Sequence, residues 1–209
     1  ITRGNPNPTN LSSVDFTVTF SEPVTGAGTN DFVLRQTLIT GASITGISGS
    51  GTTYTVTANT GTGEGTLWID FDATAGGGVF DAGLNKSVAN FTTGHVYAID
   101  KLKPMVTSIT RLDSTPTNAA SIRFLVTFNE IVTGVTSNNF VLDTTGLSGA
   151  AITNLTGSGT TYTVTLSTGL TDGTLSIDFN AAGHNVLDSV NNISAVNFTP
   201  GEVYRVDRV

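Results

Sequence analysis

The sequence predicts an all-β chain folded as two tandem antiparallel β-sandwiches of about seven strands each. Three observations predict it. The first is duplication: the run Gly-Ser-Gly-Thr-Thr-Tyr-Thr-Val-Thr stands at 49–57 and again at 157–165, an offset of 108 residues. The same offset carries Ile1-Thr2-Arg3 onto Ile109-Thr110-Arg111, and Ile69-Asp70-Phe71 onto Ile177-Asp178-Phe179. Beyond the glycine run 76–78 one residue is lost, and the offset of 107 brings Asp81 onto Asp188 and Tyr97 onto Tyr204. A repeat this long is a domain rather than one turn of a solenoid. The second observation is composition. Serine and threonine make up about a quarter of the chain and glycine adds 24 residues, while charged residues are only 12%. Threonine fits pleated strands, and glycine, serine and asparagine fit turns. The third is alternation with a period of two, with no long apolar stripe at helical spacing.

The elements follow in order. In 14–20, Val14, Phe16, Val18 and Phe20 take every second position, so one face enters a core and the other is wet; Ile122, Phe124, Val126 and Phe128 repeat the pattern. Tyr54 and Val56, then Leu67, Ile69 and Phe71, point inward in the same way, as do Tyr162, Val164, Leu166, Leu175, Ile177 and Phe179. Shorter segments at 32–34, 43–47 and 97–99 complete about seven strands, and glycine-rich turns at 49–51, 61–65 and 76–78 separate them. Seven short strands punctuated this way read as a two-sheet sandwich, with a closed barrel as the competing arrangement. The first copy spans 1–103, including a linker at 100–103, and the second spans 104–209. Pro104 makes the joint short and stiff.

Phe-Ser-Glu-Pro-Val-Thr-Gly at 20–26, Asp31-Phe32-Val33-Leu34 and Asp81-Ala82-Gly83-Leu84-Asn85 resemble the tandem bacterial Ig-like repeats of large surface adhesins and S-layer-type extracellular proteins. The second copy departs by losing the counterpart of Pro23 and the glycine before its final asparagine. The resemblance covers essentially the whole chain. It implies two Ig-like sandwiches at the cell surface, in a structural or adhesive setting, and carries no catalytic residue across.

The chemistry expected is correspondingly sparse. A net charge of −7 argues against nucleic acid, and no apolar run is long enough to span a membrane. No signal peptide opens the chain, which reads as a mature or excised segment. Without cysteine there are no disulfides, thiolate metal sites or thiol nucleophiles. The two histidines, His95 and His184, do not recur between the copies and read as surface residues; no enzymatic activity is expected. Lys86 is the only lysine placed to form an internal isopeptide bond, and its turn context argues against one. Trp68, the single tryptophan, faces outward from its strand and is a candidate contact residue.

The candidate metal ligands are carboxylates. In an Ig-like sandwich, the turns carrying Glu130 and Asp188 lie at the end where the chain enters, and the entering linker carries Asp100. Ca²⁺, with its loose shell of six to eight oxygens, suits three such acids at an interdomain joint. Glu22 and Asp81 hold the equivalent places in the first copy, without a preceding linker aspartate. Against this, Lys101 and Lys103 flank Asp100, and Asp188 has a competing role as a turn residue bonding its own backbone. The expected function is a rod-like spacer, adhesive or assembly segment of an extracellular surface protein or fibre. Its partners would be neighbouring Ig-like domains of the same or an identical chain, up to a homopolymer joined by strand addition through 203–209. The alternative is a carbohydrate-binding or accessory module of an extracellular enzyme.

Overall fold

The computed structural model describes residues 1–182 and 185–209; His184 lies outside them. The chain forms two compact units, Ile1–Leu102 and Lys103–Val209. In the first, β1 (Thr2–Arg3), β2 (Ser13–Val24) and β4 (Ser43–Asn59) make one antiparallel sheet, in the order β1-β2-β4. β3 (Phe32–Thr37), β5 (Gly65–Phe71) and β6 (Tyr97–Ile99) make the other, with β5 in the middle. The second unit repeats this with β7 (Val106–Arg111), β8 (Ser121–Val132) and β10 (Ala150–Thr168) in one sheet, and β9 (Phe140–Thr145), β11 (Gly173–Phe179) and β12 (Tyr204–Val206) in the other.

The repeated nonapeptide is a hairpin tip. β4 doubles back on itself, since the Thr45 hydroxyl donates to the Thr57 carbonyl at 3.2 Å and the Asn59 amide to the Ser43 hydroxyl at 2.6 Å. In β10 the Thr153 hydroxyl likewise donates to the Thr165 carbonyl at 3.1 Å. Each of these long elements is therefore two strands, which brings each unit to seven.

The period-two alternation puts the apolar residues of both sheets into one core per unit. Phe16, Val18, Tyr54 and Val56 of one sheet meet Phe32, Leu67, Ile69, Phe71 and Tyr97 of the other. The second unit does the same with Phe124, Phe128, Tyr162, Phe140, Leu175, Ile177, Phe179 and Tyr204. Aromatic edges cross the gap between sheets, with ring centroids 5.1 Å apart for Phe16–Tyr97 and 5.0 Å for Phe124–Tyr204. One core position differs from expectation. Phe128 is buried at 3% exposure, whereas Phe20 is only partly buried against the core. The cause is the edge beside it: β7 pairs with β8 up to Phe128, but β1 covers β2 only at Phe16 and Thr17.

The expected donor strand at 203–209 is engaged within its own unit. β12 pairs with β11, the Asp207 N–H donates to the Thr117 carbonyl, and the Arg208 guanidinium reaches Asn118, Thr168 and Gly169. Strand donation from this segment would first have to break those bonds. Among the described residues, no helix is long and apolar enough to cross a membrane.

Candidate functional site

Asp188 sits in the turn that follows Val186, and its buried carboxylate organises that turn. Oδ1 accepts the N–H groups of Val190 and Asn192, each at 2.8 Å, and Oδ2 accepts the Asn192 side-chain amide at 2.7 Å. Asn191 takes the left-handed conformation (φ 68°) that closes the turn. The expected turn role is thus present. A carboxylate oxygen of Glu130, at the bulged end of β8, lies within 4.8 Å of one from Asp188, so the second unit brings these two candidate ligands together. Glu130 also accepts the Asn129 side-chain amide at 3.2 Å. Asp100 lies at the end of the first unit, where its N–H donates to the Thr9 carbonyl at 3.0 Å.

The first unit arranges its equivalent acids differently. Asp81 accepts the Asn85 N–H and side-chain amide, both at 2.8 Å, and these bonds hold its carboxyl below the usual range. Asp81 and Glu22 share a groove of about 160 Å³ with Asn85 and Lys86. An ammonium therefore lines this groove, whereas Ile193 stands in the corresponding position of the second unit. Lys86 is exposed, which removes the buried setting an isopeptide bond needs.

Lys101 is committed elsewhere in the first unit, as its ammonium donates to the Thr60 hydroxyl at 2.8 Å and the Gly61 carbonyl at 2.6 Å. Partial burial there lowers its pKa. This ammonium is thus held by the 60–61 turn. Arg208 repeats the arrangement on Thr168 and Gly169.

Trp68 is half-buried, and Arg35 of the neighbouring strand is paired directly across from it. Arg35 itself donates to Asp70 at 3.0 Å. Phe91 is the one aromatic ring among the exposed large apolar side chains of the described residues, so they present no flat platform of several open rings. His95 accepts a long 3.4 Å bond from the Arg3 N–H and belongs to no nucleophile–base arrangement among the described residues.

No protein-family model and no curated protein matches the chain. Among solved structures it is similar to FdeC, a broadly conserved Escherichia coli adhesin, at 14% identity and a TM-score of 0.43. The match covers 99% of this chain and 63% of that one, so this chain spans less than two thirds of that protein.

Proposed function

We propose that the chain is a structural and adhesive segment of an extracellular surface protein, in which two Ig-like repeats, 1–103 and 104–209, act as a rod-like spacer or assembly unit. The observation that carries this reading is what the two copies share. They keep the residues that build the sandwich: Tyr54 and Tyr162, Tyr97 and Tyr204, Thr60 and Thr168. They exchange the residues that could do chemistry or hold a ligand, since His95 becomes Glu202, Lys86 becomes Ile193 and Trp68 becomes Ser176. A duplicated scaffold with unshared surface chemistry fits spacing and contact better than catalysis. Its partners would be neighbouring Ig-like domains of the same or an identical chain, with Trp68 a contact residue.

Calcium at the joint would stiffen the spacer. Glu130 and Asp188, close together in the second unit, supply two carboxylates without a lysine between them. Asp100 is five residues before Met105, and Met105 is fixed to Asn129 by bonds of 2.7 and 3.0 Å. In this reading Asp100 would supply the third carboxylate.

Solution scattering with calcium and with chelator tests both parts. An extended particle of two sandwich lengths that shortens or softens with chelator supports the reading, and Asp188→Asn should remove the calcium effect. A compact particle indifferent to calcium counts against it. The carbohydrate-module alternative predicts glycan retention that is lost in Trp68→Ala.

A further inference from the structure

We propose that the first unit binds a divalent cation, calcium by its chemistry, at the carboxylates of Asp31 and Asp72 under the glycine loop 73–78. This site is separate from the joint and does not rest on it. Asp31 ends a short 3-10 turn and is 1% exposed. Its Oδ2 accepts the Gly28 N–H at 2.7 Å, while its buried Oδ1 has no hydrogen-bond donor. That oxygen lies against the loop, since a Cβ on Gly76 would stand 2.3 Å from it. Asp72 is one step beyond the Phe32–Phe71 pair, and its N–H donates to the Asp31 carbonyl at 2.9 Å. Its Oδ1 holds the first turn of the loop through the Thr74 N–H and hydroxyl, at 2.9 and 2.6 Å.

The second unit shows which part of this arrangement the fold requires. Asn139 replaces Asp31 and Asn180 replaces Asp72. Asn139 still accepts the Thr136 N–H at 2.7 Å, and Asn180 still accepts the Ala182 N–H at 2.9 Å. The Asn180 N–H donates to the Asn139 carbonyl at 2.7 Å, and Asn197 holds Ala181 as Asn90 holds Ala73. Neutral amides therefore build the same turn and loop anchor. The buried Oδ1 of Asp31 has no donor just as the buried Nδ2 of Asn139 has no acceptor, but in the first unit the unpartnered atom belongs to a charged carboxylate, and both negative charges are surplus to the turn. A buried carboxylate is stabilised by a paired cation or a metal.

Among the described residues, neither Asp31 nor Asp72 forms an ion pair, and Arg35 is engaged by Asp70. Calcium fits because two carboxylates, the carbonyls of a glycine-rich loop and water match its preference for oxygen in loose geometry. With only two charged ligands the affinity belongs in the weak extracellular class, about 10⁻⁴–10⁻³ M.

The test is a calcium titration of the full chain followed by amide NMR. Saturable shifts are expected at Asp31 and through 72–78. They should be lost in Asp31→Asn and in Asp72→Asn, both of which copy residues the second unit already folds with. They should persist in Asp188→Asn, which separates this site from the joint. No shift in this loop up to about 10 mM calcium, ten times the weak limit, overturns the proposal. So do shifts that survive in the Asp31→Asn, Asp72→Asn double variant.

Discussion

The hydroxyl of Tyr204 donates to the carbonyl oxygen of Arg123 at 2.8 Å, and so links β12 of one sheet to β8 of the other. The Tyr204 hydroxyl oxygen in turn accepts the Asp113 N–H at 2.8 Å. Tyr97 repeats both bonds in the first unit, donating to the Asp15 carbonyl at 2.7 Å and accepting the Asn5 N–H at 2.8 Å. Each unit thus has one phenol that ties its two sheets together above a packed ring. Tyr204→Phe keeps the ring on Phe124 but leaves a part-buried N–H and carbonyl without their partner. The expected loss is about 1–3 kcal/mol, measured by denaturant unfolding, with a comparable loss for Tyr97→Phe. Variants as stable as the parent would show that water replaces the hydroxyl at no cost.

The unequal burial of Phe20 and Phe128 gives a second expectation. Truncating Phe128 to alanine removes a ring that packs edge-on against both Tyr162 and Phe179 in a closed core. That should cost about 3–5 kcal/mol. Phe20 makes the equivalent contacts with Tyr54 and Phe71 but borders an open groove lined also by Ile1, Ala89 and Phe91. Phe20→Ala should cost clearly less, because part of that ring is already wet and the groove can readjust. Equal losses would mean that the exposed edge of β2 does not weaken the first core.

The nonapeptide hairpin makes a third. Gly49 and Gly157 adopt φ of 117° and 126°, and a Cβ on either would lie 2.4 Å from the carbonyl oxygen of Thr53 or Thr161. Gly51 and Gly159 are also left-handed, but their added Cβ meets open space. Gly157→Ala should therefore destabilise the second unit more than Gly159→Ala, whose cost is confined to the backbone conformation, about 1 kcal/mol. The reverse order in thermal melts would contradict this geometry of the hairpin tip.

These residues also show how far the sequence could be read. Alternation located the inward faces because a strand's side chains obey a period of two, and the exact repeat made each reading checkable against its twin. The doubling-back of β4 was marked by its glycines. The partial burial of Trp68 was not legible, since the linear sequence does not show that its strand pairs with β3. Nor was the place of Lys86 against Gly78. The pairing of Asp31 with Asp72 is hidden in the sequence for a different reason. Singly, each looks like a turn residue; only the paired change to Asn139 and Asn180 at one end of adjacent strands makes their charge conspicuous.

Asp113 and Arg123 give the pH dependence. Asp113 accepts the Arg123 N–H at 2.7 Å and the guanidinium at 2.8 Å. The side-chain hydrogen bond from Arg123, then its backbone N–H and its charge, hold the Asp113 carboxyl below its ordinary value. A carboxyl whose folded pKa is depressed stabilises the fold above its unfolded pKa, and that contribution disappears as pH falls through the folded value. Because the guanidinium is about half exposed, the effect should be modest and weakened by salt. Asp113→Asn isolates the charge, since Asn5 at the equivalent place accepts the Asp15 N–H at 2.7 Å without one. The variant should melt below the parent at neutral pH, and the gap should close as the solution is acidified past the folded pKa of Asp113. A gap of constant size across that range, or one that grows with salt, would show that the charge of Asp113 does not carry the stabilisation.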